Sequence, residues 1–332
     1  MISDKKQEIR TRPCPDCYIC GIKGQPLYQD LQDRLFGAPG RWDLKKCPNP
    51  ECGLVWMDPM PIEEDIGKAY ETYYTHEEET NRRNGNVKKT ICRQFLRKLY
   101  VLLRFFAGLD RQWRRVYMMY LDHIQPGRLL EIGCGNGQRL SSFQSRGWMV
   151  EGQEVDQKAA RQVYRNFGIK MYLDKLERLD LQRWNYDAII MNHVIEHVHD
   201  PVGLLKECRR LLKPGGLLVA ITPNVKSRGH RVFGSCWRDL DPPRHLRLFS
   251  VNTLRQLGQQ AGFTKVHSWT TAANAEIIAR GSLEIMQIGR HDMLRSPGLV
   301  LSMKALYFQL FSSLTILLDK CSGEECVLRA VK

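Results

Sequence analysis

The sequence predicts an α/β protein organised around a parallel sheet, and three observations carry that prediction. Leu129–Gly137 reads LLEIGCGNG, an apolar run that glycines at 133, 135 and 137 then interrupt, as a buried strand entering a tight turn does. QRLSSFQSRG follows at once and stops at Gly147, giving a helix with a glycine end. Further apolar runs, VEGQEV, GIKMYL, AIIMN and LLVAITPN, are separated by helical stretches such as KECRRLLKPGG, the succession of a βαβ sheet.

The glycine turn lets a ligand approach the backbone closely. Its spacing excludes the dinucleotide fingerprint G-x-G-x-x-G, because the third position falls on Gln138 or Leu140. Glu154, nineteen residues beyond Gly135 near the end of the second strand, is placed to accept the hydroxyls of a ribose. These features imply a nucleoside ligand without a pyrophosphate.

LLEIGCGNG, Glu154, YDAIIMNHVIEHVHDP and LLKPGGLLVAITPN stand in the order found in class I S-adenosylmethionine-dependent methyltransferases, and from roughly residue 110 to 270 the chain resembles that family. The resemblance implies a Rossmann-like seven-stranded sheet, closed by FTKVHSWTT as strand six and by GEECVLRAVK as an antiparallel seventh strand. It implies S-adenosylmethionine as cofactor, with Glu131, Gly133, Gly135, Gly137, Glu154, Leu176 and Asn192 around it. Leu176 would flank the adenine, and Asn192 would end strand four beside the amino-acid part.

Ahead of this region lie CPDCYICG and KKCPNPECG. The opening MISDKKQEIR is charged and lacks an apolar signal core, so the expected compartment is a reducing cytoplasm, where clustered cysteines point to metal sooner than to disulfides. Cys17, Cys20, Cys47 and Cys52 form the expected four-thiolate structural zinc site, with Cys14 left over; such a site would let about 45 residues fold without a core. The expected organisation is a zinc ribbon over 1–60, a helical linker over 61–110 and a methyltransferase domain over 111–332.

In the linker, Ile62–Tyr70 reads as a short helix, and Tyr70, Tyr73 and Tyr74 resemble the aromatic segment that many methyltransferases fold over the cofactor; packing between ribbon and main domain explains them equally well. Phe95, Leu99, Leu102 and Phe106 follow helical spacing beside Arg93, Arg97 and Arg104, and Gly108 separates this basic amphipathic helix from a second one ending near Ile124. The net charge of +14 is concentrated here, with twelve Lys/Arg against two acids between Asn81 and Arg128. That stripe suits an anionic partner, whether nucleic acid, acidic lipid headgroups or a phosphorylated substrate.

His193, Glu196 and His197 spell H-x-x-E-H, the inverted zinc-protease motif. Asp200-Pro201 follows too soon for the protease helix, so a peptidase is discounted. The segment also resembles E-x-x-E-H of quinone-biosynthetic O-methyltransferases, which implies a divalent metal at His193, Glu196 and His197, with His193 departing from the pattern. His197 and His245 are the candidates for general base. The connection after strand five, with Trp237 and D-P-P-R-H, resembles that of zinc-ribbon methyltransferases of glycan and secondary-metabolite pathways; Trp237, Arg244 and His193 are the expected substrate contacts. Arg244 also reads as a loop anchor to Asp239 or Asp241.

An insertion over 274–321 contains Leu299–Leu318, twenty residues whose single charge is Lys304. Strands six and seven must pair on one side of any membrane, so this helix reads as a lid or as a surface-lying element at the inner membrane face rather than a span. The expected reaction is methyl transfer to a small-molecule acceptor, a sugar, lipid-linked glycan or related metabolite. RNA methylation is the first alternative, weakened by the lack of an N/D-P-P-Y motif, and a non-catalytic scaffold is the second.

Overall fold

The computed structural model describes residues 8–71, 104, 108–292 and 297–332. The first basic amphipathic helix, with Phe95, Leu99, Leu102 and Phe106, and also Tyr73 and Tyr74, lie outside the described residues.

Seven strands form the main sheet: β6 (Arg128–Ile132), β7 (Met149–Glu154), β8 (Lys170–Leu173), β9 (Tyr186–Asn192), β10 (Leu212–Pro223), β12 (Lys265–Thr271) and β13 (Glu325–Val331). Their spatial order is β12-β13-β10-β9-β6-β7-β8, with β13 antiparallel to both neighbours and β6 to β10 parallel. This is the seven-stranded arrangement expected from the sequence. Leu129 and Leu130 of β6, Ile189 and Ile190 of β9 and Val219 and Ala220 of β10 are fully buried, because helices cover both faces of the sheet.

Helix α1 (Leu109–Tyr117) leads into β6, and α2 (Gln138–Gln144), α3 (Gln157–Phe167) and α4 (Pro201–Leu211) connect successive strands. The helix expected to reach Ile124 stops at Tyr117, where Met119 and Tyr120 adopt left-handed conformations and fold the chain back onto the core. Asp156 caps α3 by accepting from Lys158 N, and Asp200 caps α4 through Gly203 N with Pro201 at its first position. Helix α4 ends at Leu211, before the glycine pair expected to stop it.

The N-terminal unit contains β1 (Thr11–Arg12), β2 (Gln25–Leu31), β3 (Trp42–Lys46), β4 (Val55–Met57) and β5 (Met60–Pro61). Its four-stranded sheet is completed by β11 (Arg247–Leu248), which pairs antiparallel with β4, so the long connection after β10 is stitched into it. Leu44, Leu54, Trp56 and Met57 of this unit pack in the same core as Leu246 and Phe249. The unit was expected to fold without a core. Shared apolar burial instead holds it together, since so short a stretch buries more surface against a neighbour than alone.

Beyond β10 come α5 (Arg228–Phe233), α6 (Val251–Gln260), α7 (Ala275–Ile288) and α8 (Leu299–Leu318). Ser250 and Thr253 form a reciprocal capping box at the start of α6. Helices α7 and α8 pack together, and Gln309 ties α8 to the sheet edge by donating to the Ala272 carbonyl at 2.6 Å.

Candidate active site

A cavity of about 1170 Å³ opens at the carboxyl ends of β6, β7 and β9. A pocket for one small ligand typically holds about 300–1,000 Å³, so this one has room for two reactants. Its two opposing sides are a glycine wall and a histidine floor.

The glycine wall is the β6–α2 turn. Gly133, Gly135, Glu154, Leu176 and Asn192 all line the cavity. Gly135 has φ +54°, and no atom lies within 4 Å of where a Cβ would sit, so the backbone presents an open cradle. The Glu154 carboxylate accepts from Gly135 N at 2.9 Å and from Val155 N at 2.9 Å, which pins the turn to the end of β7. Leu176, in a 3-10 turn and almost completely buried, supplies an apolar side. An open glycine cradle between a carboxylate and an apolar side chain fits the nucleoside and amino-acid halves of S-adenosylmethionine.

Two expected members stand behind the wall and not in it. A Cβ on Gly137 would come within 2.7 Å of Val163 Cγ1, so this glycine lets α3 pack closely. The Glu131 carboxylate is buried and paired with Arg139 Nη1 at 2.7 Å, braced from the helix side; burial raises its pKa, and Arg139 opposes that.

The histidine floor gathers side chains from distant parts of the chain. Ile195–His197 forms a 3-10 turn, which removes the helix a peptidase would need. His197 Nδ1 lies 3.0 Å from the Arg244 carbonyl oxygen, which can only accept, so Nδ1 carries the hydrogen and Nε2 the lone pair. The Tyr70 hydroxyl is 2.9 Å from the same Nδ1. Burial, reinforced by the nearby His245, pulls the His197 pKa down to about 4 and keeps the ring neutral at physiological pH. The His245 ring packs edge-on at 4.7 Å from that of His197, and its Nδ1 meets the Asp239 carbonyl at 2.7 Å.

Glu196 lies beneath both rings, fully buried, and accepts from Thr222 Oγ1 at 2.9 Å. Burial alone would raise its pKa, but the His193 ring and the other histidines outweigh that and bring it to about 2. His193, at φ +54°, sits between Glu196 Oε1 at 3.2 Å and Glu325 Oε1 at 2.8 Å. Burial lowers its pKa, but these two carboxylates prevail and raise it well above the ordinary value, so it is held as a cation.

The metal set expected at His193, Glu196 and His197 is corrected by this geometry. On this floor the ligand atoms that converge within 4.8 Å are those of Glu196, His197 and His245, while both His193 nitrogens face carboxylates.

The expected substrate contacts need correction as well. Arg244 is fully buried; its guanidinium donates to Asp33 Oδ1 at 2.8 Å, to Asp241 and to the Ala69 carbonyl at 3.0 Å. It locks the N-terminal unit, the Tyr70 turn and the β10–α6 connection together. Trp237 is 1% exposed and stacks on His230 at 4.8 Å, away from the large cavity. A tryptophan beside a PRH sequence reads as a surface contact only until the loop is seen to fold inward.

The Arg244–Asp241 pair is the loop anchor that the sequence offered as the other reading of Arg244, whereas Asp33 and Glu325 escaped it. A signal existed for Glu325: an acid pair, Glu324-Glu325, opening an otherwise apolar strand is a request for buried partners. Asp33 carried none.

The four cysteines expected to bind zinc do come together, with all Sγ atoms within 4.8 Å. Cys17 and Cys52 sulfurs are 3.6 Å apart and those of Cys20 and Cys47 3.4 Å. A tetrahedral zinc with bonds of about 2.3 Å needs sulfurs about 3.8 Å apart, so the donor set fits the ion. Cys14 stands aside, its amide donating to Asp58 and its carbonyl accepting from Trp56.

A family profile described as "Methyltransferase domain" matches residues 105–268. The ubiquinone biosynthesis O-methyltransferase of Alkalilimnicola ehrlichii is 32% identical over 117 residues, covering 33% of this chain and 47% of its own length. A Mycolicibacterium smegmatis protein named "Probable S-adenosylmethionine-dependent methyltransferase" is 31% identical over 168 residues, 48% of this chain and 63% of its own. The chain thus spans about half to under two thirds of these relatives. Among solved structures, a SAM-dependent methyltransferase from Archaeoglobus fulgidus is similar at 17% identity and TM-score 0.47, covering 70% of this chain and 99% of its own. With the motifs in register and the sheet in the expected order, residues 105–268 carry a methyltransferase domain of the class I S-adenosylmethionine-dependent type.

Proposed function

We propose that this protein methylates a hydroxyl or comparably acidic position of a small-molecule acceptor, a sugar, lipid-linked glycan or related metabolite, and that zinc on Cys17, Cys20, Cys47 and Cys52 has a structural role. The observation that carries the reading is the pairing, in one cavity, of the Gly135 cradle with a histidine kept neutral by burial. The cofactor, when bound, supplies an electrophilic methyl group on a good leaving group.

The chain's own residues then have to align the acceptor and remove its proton. Gly133, Gly135, Glu154, Leu176 and Asn192 hold the cofactor side. His197 takes the proton at Nε2, its orientation fixed through Nδ1 by the Arg244 carbonyl. Glu196 and Asp241 stabilise the resulting charge, and His245 shapes the acceptor end. Tyr70 covers the floor from the N-terminal side.

The test is calorimetric titration with S-adenosylmethionine and S-adenosylhomocysteine, followed by mass detection of methylated products across free sugars, lipid-linked glycans and phenols. Micromolar cofactor binding with turnover of one acceptor class, lowered about 10²–10⁴-fold in His197→Gln, is the expected result. A folded, zinc-loaded protein that binds neither nucleoside overturns the reading.

A further inference from the structure

Helix α8 has two unlike faces. Ala305, Phe308, Gln309 and Ser312 are buried against α7, α5 and the sheet edge. Val300, Tyr307, Phe311, Leu314 and Leu318 are exposed, Leu314 by 63% and Leu318 by 93%. At 100° per residue those five positions and Lys304 fall within a stripe about 80° wide, running along a helix of about 30 Å. A core helix of the same apolar composition would be mostly covered, yet only 28% of the most apolar window of α8 is buried. This is a contiguous apolar strip of the kind that marks an interaction surface.

The charges around the strip select the occupant. The only charge within α8 is Lys304, exposed in the stripe, and Lys320 is exposed just beyond its end. Arg228 lies over the Phe308 and Phe311 rings at 4.5 and 4.3 Å, and Asp319 is engaged by Arg231. A symmetric contact with a second copy would press two Lys304 ammonium groups into an apolar seam, which desolvates like charges. At an anionic bilayer the same lysine reaches back to the headgroups while its stem and its apolar neighbours enter the acyl boundary.

The fold excludes a span. Gln309 is bonded to Ala272, and Thr270 Oγ1 donates to the Lys320 carbonyl at 2.6 Å, so both the middle and the end of α8 are fixed to the sheet.

We propose that the exposed face of α8 docks the protein on the headgroup layer of an anionic membrane, with Val300, Tyr307, Phe311, Leu314 and Leu318 inserted and Lys304 paired with lipid phosphate. The same helix pair braces the cavity: Ser282 of α7 accepts from Arg238 N at 2.9 Å, in the turn beside Asp239 and Asp241. Docking is read without turnover and so stands apart from the methyl-transfer reading.

The test is flotation of the full-length protein with phosphatidylcholine vesicles containing phosphatidylglycerol, and with phosphatidylcholine alone. The wild type should float with the anionic vesicles, less well at high salt, and partition should fall about tenfold or more in Leu314→Ser/Leu318→Ser, and less in Lys304→Glu. Both substitutions change exposed side chains, and unchanged thermal midpoints by circular dichroism establish that the variants are folded. Failure of the wild type to float overturns the proposal, as does equal flotation of the double variant. Light scattering that shows a dimer dissociating in the double variant assigns the face to a second copy and overturns it as well.

Discussion

The glycine wall and the histidine floor face each other across one cavity but are assembled in opposite ways. The wall is local: Gly133, Gly135 and Glu154 come from one strand-turn-helix-strand unit, and backbone amides do most of the holding. The floor is non-local: Asp33, Tyr70, His197, Asp241 and Arg244 meet from positions up to 211 residues apart, held by buried charges. The wall therefore depends on conformational freedom at single glycines, and the floor on whether every buried charge keeps its partner.

The floor offers the largest break. Arg244→Ala leaves Asp33 and Asp241 without their cation, and loss of one partner of a buried ion network costs about 3–5 kcal/mol. A urea midpoint far below the wild type checks it. His197→Gln leaves the fold and cofactor affinity intact but lowers kcat by about 10²–10⁴-fold, the usual contribution of a positioned base. Steady-state kinetics with the identified acceptor, beside cofactor titration, separates those two effects.

On the wall, two glycines of one motif should respond differently. Gly137→Ala drives a methyl group into Val163 and should destabilise the protein by about 1–3 kcal/mol, as overpacking does. Gly135→Ala meets open space, so its cost falls on the ligand: cofactor affinity should drop about tenfold or more, about 1.4 kcal/mol, beyond a modest backbone strain. Thermal midpoints and calorimetry, measured on both variants, sort them.

The pH dependence of the floor carries two opposite signs. His197, its pKa depressed to about 4, binds fewer protons folded than unfolded between pH 4 and about 6.5. Stability should rise with pH across that window by at most about 1.4 kcal/mol per unit, and the contribution is complete above it. His193 is raised, so its contribution is full below about pH 6.5 and is lost as pH climbs through its folded value. Urea midpoints of His197→Gln should lose the acid slope, and those of His193→Gln the alkaline one.

The same contrast explains what could be read from the sequence. The glycine turn and Glu154 were legible because each signal lies within one short unit, and the strand order followed from the family resemblance that those motifs carry. The cysteine site was legible because thiolates at short spacings state their own chemistry. For Arg244 the loop anchor to Asp241 was legible from three residues away, but its assignment as a substrate contact was wrong, because its other partner Asp33 is 211 residues away and nothing local announces it. Trp237 was misassigned for a related reason: burial of a loop depends on what folds over it, here the helix α7 and the N-terminal unit. Gly137 was read as ligand-binding because a motif does not distinguish a glycine that faces a ligand from one that faces Val163.

Calorimetric titration with S-adenosylmethionine of the wild type, Gly135→Ala and His197→Gln tests the division of labour most directly. Micromolar binding that is weakened in Gly135→Ala and unchanged in His197→Gln is the predicted pattern. No binding by the folded wild type, or a loss confined to His197→Gln, would contradict it.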